Sequence, residues 1–107
     1  MTYNVYMIKD AEEDLYELYY YIASYDSSEK AEKVLTKIEE ACKSLSKFPL
    51  RGRVPPELER IGVLENRQLI SNPYRMIYEI NESAVYIHCI LDSRRNLSEL
   101  LEKRLLR

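Results

Sequence analysis

The chain has 107 residues, 46% of them hydrophobic and 32% charged, with a formal net charge of −2. That length suits one domain over residues 1–107, and the mildly acidic balance argues against a protein that grips nucleic acid unaided. No signal peptide or membrane-spanning stretch is legible, because MTYNVYMIKDAEED turns acidic within a few residues, so a cytoplasmic protein is expected.

The first predicted element is a short strand over YNVYMI, residues 3–8, rich in strand-favouring Tyr, Val and Ile. From Asp10 the apolar period changes. Ala11, Leu15, Leu18, Ile22 and Tyr25 recur at steps of three and four, which predicts an amphipathic helix to about residue 25. Tyr16 and Tyr20 flank that face and present their rings either at its edge or to a partner. DSSEKAEKV then reads as a turn and a second helix start, with Asp26, Ser27 or Ser28 as the cap. Ala31, Val34, Leu35, Ile38, Ala41, Cys42 and Leu45 form its apolar stripe, with Lys47 in the last turn and Pro49 ending it. The two helices are expected to form an antiparallel hairpin facing one surface.

Residues 49–62 hold three of the four prolines and both glycines, which predicts a loop with at most one helical turn at PELER. Three strands follow: ENRQLIS, YRMIYEI and AVYIHCIL. Strict alternation places Tyr74, Met76, Tyr78 and Ile80 opposite Arg75, Ile77 and Glu79, and Val85, Ile87, Cys89 and Leu91 opposite Tyr86, His88 and Ile90. One sheet face is then covered by the helical hairpin and the other is partly open. Asn96 and Glu99 suggest a capping box for a last helix from Leu97 to about Leu106. The order β-α-α-β-β-β-α defines an α+β domain: an N-terminal strand and a helical hairpin packed on a small, mainly antiparallel sheet, with a C-terminal helix.

Few residues suggest chemistry. Cys42 and Cys89 read as buried reduced thiols, and a single histidine makes a metal site unexpected. His88 is either a general base or a hydrogen-bonded histidine beneath the last helix. Arg75, mid-strand, must find partners or face a groove, and His88 or Tyr86 is its expected cross-strand neighbour. Arg94 and Arg95 end the adjacent strand, while Arg67, Arg53 and Arg60 approach from the loop side. Arginines converging on one end of a sheet hold phosphates bidentately, meet acidic residues of a partner, or pair internally with Glu79, Asp92 and Glu99.

LSKFPLRGRVPPEL, then RQLISNPYRMIYEI, then VYIHCILDSRRNLSELL, in this order and spacing, resemble the RelE/ParE superfamily of type II toxin–antitoxin toxins. The most specific parts are the FP-x-x-G-R segment, the R-x-L…YR-x-x-Y-E strand pair and the final strand running into R-R-N-L. The resemblance spans nearly the whole chain and implies the α+β fold described above, a growth-inhibiting toxin that serves plasmid stabilisation, a cognate antitoxin partner and no cofactor. RelE-like members are ribosome-dependent mRNA interferases that cleave mRNA in the A site; ParE-like members inhibit DNA gyrase by binding. Arg75 matches the arginine that RelE-like nucleases set against the scissile phosphate, and Arg95, with Arg94 as alternative, matches their second. These two are catalytic residues only if the chain is a nuclease. The nuclease lysines fall at Asn66 and Gln68, and their C-terminal aromatic falls at Leu101. RNA cleavage needs a base, an acid and charge stabilisation, and only the last has candidates. The resemblance therefore favours the ParE-like side, with Arg53, Arg67, Arg75, Arg94, Arg95, Tyr16 and Tyr20 as target- or antitoxin-binding residues and with no membrane role or direct DNA binding without an antitoxin. A drifted, non-toxic member that retains antitoxin binding is the remaining alternative.

Overall fold

The computed structural model describes residues 2–93 and 97–105. Arg94, Arg95 and the expected cap Asn96 lie outside the described residues. The elements follow the expected order: β1 (Asn4–Met7), α1 (Lys9–Tyr25), α2 (Ser28–Ser44), a single-turn α3 (Pro56–Glu59), β2 (Asn66–Ser71), β3 (Tyr74–Asn81), β4 (Ala84–Asp92) and α4 (Leu97–Leu105). Ser27 is the residue that caps α2, its hydroxyl accepting from the Lys30 N–H at 3.1 Å.

The four strands lie in the order β1-β4-β3-β2. β2, β3 and β4 form an antiparallel meander, and β1 adds to β4 in parallel after the crossover through the helical hairpin. The hairpin covers one face. Ala11, Ile38, Cys42 and Leu45 meet Leu69, Met76, Tyr78, Val85, Ile87 and Ile90 there in one continuous core. The predicted helical stripes account for this packing, except that Tyr25 at the end of α1 is 79% exposed.

The strict alternation expected of β4 is corrected by a β-bulge. Ile77 stands opposite Cys89 and Tyr78 opposite Ile87, so His88 is the extra residue. Beyond it the faces exchange: Ile90 joins the helix-side core, whereas Cys89 and Leu91 turn to the other side. An inserted residue resets a period of two and leaves no mark in composition. The expected pairing of Arg75 with His88 or Tyr86 is not formed: the hairpin register sets Tyr86 opposite Glu79, and after the bulge Arg75 faces Leu91 on β4 and Ile70 on β2.

Half of the second face is not open. Ile77, Cys89 and Leu91 pack there with Leu58 of α3 and Leu97 of α4, joined by Val63 and Leu100. The remaining part carries Tyr6, Tyr86, Glu79 and His88. Burial pushes the thiols of Cys42 and Cys89 up to about 12, which keeps them protonated and unreactive.

Candidate functional site

Arg75 lies on the second face of β3, 8% exposed. A guanidinium at that depth needs hydrogen-bond acceptors, and the chain supplies three bonds. Its Nε–H donates to Gln68 Oε1 at 2.8 Å, a neighbour fixed by the β2–β3 register. Its Nη1 and Nη2 donate to the two carboxylate oxygens of Glu57 at 2.8 and 3.1 Å. These hydrogen bonds from Arg75 hold the Glu57 carboxyl below the usual glutamate range, against the opposing effect of burial. Glu57 is placed there by α3, whose chain the Pro55–Pro56 pair preorganises and whose Leu58 is anchored in the second core. Arg75 thus pairs with Glu57, not with Glu79, Asp92 or Glu99.

The expected convergence of arginines is not what the register produces. Arg67 stands opposite Tyr78, which points into the helix-side core, so Arg67 and Arg75 project from opposite faces. Arg67 Nη1 donates to the Gly52 carbonyl at 2.7 Å. Arg53 is exposed at the free edge of β2, where its backbone exchanges hydrogen bonds with Gln68 at 3.2 and 2.7 Å.

These bonds belong to a pinned loop. The buried Tyr78 hydroxyl donates to the Pro49 carbonyl at 2.7 Å and accepts from the Gly52 N–H at 3.0 Å. The backbone passes so close that a Cβ on Gly52 would lie 2.4 Å from the Gln68 carbonyl oxygen and 2.5 Å from the Tyr78 hydroxyl. This is the physical content of the FP-x-x-G-R spacing: a proline carbonyl and a glycine amide, three residues apart, bracket one tyrosine oxygen.

Tyr16 and Tyr20 both stand exposed on α1. Tyr20 meets the half-buried Tyr19 edge-on, and the exposed Tyr21 contacts the exposed Tyr25. On the open part of the sheet, Tyr6 stacks on Tyr86 with centroids 5.6 Å apart, and His88 Nε2 lies 2.9 Å from Glu79 Oε2. His88 is therefore a hydrogen-bonded histidine, though on the open part of the sheet and not beneath the last helix as expected. Among the described residues no group of three or more His, Cys, Asp or Glu side chains is placed to hold a metal ion.

The family description "ParE toxin of type II toxin-antitoxin system, parDE" matches residues 5–97. The chain belongs to the ParE toxin family. Its fold is shared with a chain of a chromosomal ParDE toxin–antitoxin system from P. aeruginosa, at 22% identity and a TM-score of 0.71, over 85% of this chain and 96% of that one. It is also shared with a chain of the RelBE2 toxin–antitoxin complex from Mycobacterium tuberculosis, at 21% identity and a TM-score of 0.64, over 86% and 92%. No curated protein matches.

Two ion pairs of this ParE-family domain have no counterpart in the sequence reading. Glu57, partner of Arg75, sits in the one helical turn expected at PELER, but that expectation gave it no partner. Asp14 accepts from Arg104 Nη1 and Nη2 at 2.6 Å each and from the Ile90 N–H at 2.9 Å. These bonds tie α4 to α1 around the end of the sheet, and the Asp14 contact is the main cause that raises the Arg104 pKa. Asp14 and Arg104 are 90 residues apart; no local signal joins them.

Proposed function

We propose that this ParE-family toxin acts as a ParE-like inhibitor of DNA gyrase, by binding rather than by catalysis, and that a cognate antitoxin neutralises it. The observation that carries this reading is the engagement of Arg75. The arginine that would face a scissile phosphate in a RelE-like nuclease is here held by Glu57 and Gln68. A guanidinium chelated by a carboxylate is a structural strut, and its release would leave Glu57 charged beneath α3. Asn66 and Gln68, in place of lysines, leave β2 without cations on that face. Antitoxin binding is supported by the two fold relatives, one described as a ParDE toxin–antitoxin system and one as a RelBE2 toxin–antitoxin complex. Gyrase as the target places the protein in the cytoplasm. No helix among the described residues is long and apolar enough to cross a membrane, and the proposed action needs no cofactor.

A gyrase supercoiling assay run beside in vitro translation with primer extension tests the reading. Inhibited supercoiling with intact mRNA is expected. Cleavage of mRNA at ribosomal codons with unaffected gyrase overturns it in favour of an mRNA interferase. Induced expression with no growth defect overturns it in favour of a non-toxic member that only binds antitoxin.

A further inference from the structure

Phe48 and Leu50 are 63% and 67% exposed, yet the loop that carries them is pinned at several points. Tyr78 grips it at Pro49 and Gly52, and Arg67 at the Gly52 carbonyl. Phe48 N–H and Arg51 N–H bond back to Ser44 and Phe48 carbonyls at 3.0 and 3.1 Å. A rigid loop that presents two large apolar side chains to water is a preorganised contact surface, not a frayed connector.

The two side chains belong to a concavity of about 770 Å³ at the end of the sheet, walled by Tyr3, Phe48, Pro49, Leu50 and Ile80. Lys47 and Arg51 stand on its rim. Arg51 is oriented by Nη1 donation to the Ser44 hydroxyl at 2.7 Å. Lys47 and Arg51 are the charged residues among its lining, which includes no acid.

We infer that this concavity is a docking site for an acidic segment of a partner protein, one that inserts a bulky apolar side chain between Phe48, Leu50 and Ile80 and sets carboxylates against Lys47 and Arg51. Apolar walls of this kind accept Leu or Phe anchors. A phosphodiester chain would leave those walls unfilled, and two rim cations give it little counterion release. Docking of an acidic segment here makes no use of Arg75 and does not depend on which molecule the toxin acts on.

The test uses the full chain and three labelled twelve-residue peptides. One is acidic with Leu and Phe at helical spacing, one has lysines in place of its acids, and one keeps the acids but has serines for Leu and Phe. Fluorescence anisotropy and amide NMR shifts are the readouts. The acidic amphipathic peptide is expected to bind saturably, to shift residues 47–51 with Tyr3 and Ile80, and to bind at least tenfold tighter than the other two. Phe48→Ser and the double variant Lys47→Glu/Arg51→Glu change solvent-facing atoms, so they should melt with the parent while weakening that peptide at least tenfold. Absence of saturable binding, or equal binding of the lysine peptide, overturns the inference. So does an oligothymidine that shifts the same residues as tightly, or self-association of the chain that Phe48→Ser abolishes.

Discussion

The two faces of the sheet are built by different means. Under the helical hairpin the core is continuous and apolar, with Met76, Val85 and Ile87 fully buried. The opposite face has a smaller core under α3 and α4, and it sets Arg75, Gln68 and Asn66 among the buried residues. The first face is held by area removed from water, which is non-directional and tolerant of exchange. The second depends on particular hydrogen bonds and loses much when one partner is removed. A family that keeps its helix-side scaffold can therefore alter what the other face does by changing a few polar residues.

The clasp between the two layers should show the largest effect. Asp14→Ala would leave Arg104 without its bidentate partner and Ile90 without an acceptor, both in poorly exposed surroundings. A loss of about 3–4 kcal/mol is expected, read by urea denaturation, and the C-terminal helix should lose amide protection before the hairpin does. Equal protection loss in both layers would mean that the clasp does not separate them.

Next comes the pinned loop. Gly52→Ala forces a Cβ onto backbone and ring atoms, and a cost of about 2–3 kcal/mol is expected. Tyr78→Phe removes the oxygen that serves Pro49 and Gly52, for about 2 kcal/mol. If the two together cost no more than Gly52→Ala alone, they act on one contact. Additive losses would break the reading of the loop as a unit fixed by Tyr78.

Glu57 gives the comparison a pH axis. Its pKa is lowered in the folded state, so the stabilisation is present above the ordinary glutamate value of about 4.3 and is lost as pH falls through the lower folded value. Glu57→Gln should cost about 1–2 kcal/mol at pH 7, and the gap to the parent should close on acidification from pH 5 to pH 3. A gap that stays constant across that range would show that the carboxylate charge is not what holds Arg75.

Much of this was legible beforehand. The change of apolar period at Asp10, the stripe from Ala31 to Leu45 and the alternation in YRMIYEI were enough to order the elements and to identify the hairpin-covered face. What escaped is non-local. Glu57 meets Arg75 across 18 positions and Asp14 meets Arg104 across 90, and both pairings follow from tertiary packing. The bulge at His88 escaped because one extra residue obeys no period, and it moved Cys89 and Leu91 to the far face. Arg67 and Arg75 are both basic and near in sequence, but strand parity sends them apart.

Asn66 gives the smallest effect and the sharpest contrast between the faces. It opens β2 opposite Glu79, is buried, and its Oδ1 has no hydrogen-bond partner among the described residues. Among the described residues this oxygen is the one buried side-chain polar atom without a partner, and it lies on the second face. Asn66→Leu keeps the branching and the number of heavy atoms while removing the polar group, so a gain of about 1 kcal/mol is expected in urea denaturation. Asn66→Asp should lose stability at pH 7, because a charge without a partner replaces a dipole without one. If Asn66→Leu stabilises the fold and growth inhibition is unchanged, the orphan oxygen is a plain defect in a small polar core. If it stabilises the fold and growth inhibition falls, that oxygen is retained for a contact made in the bound state, and the second face trades stability for recognition.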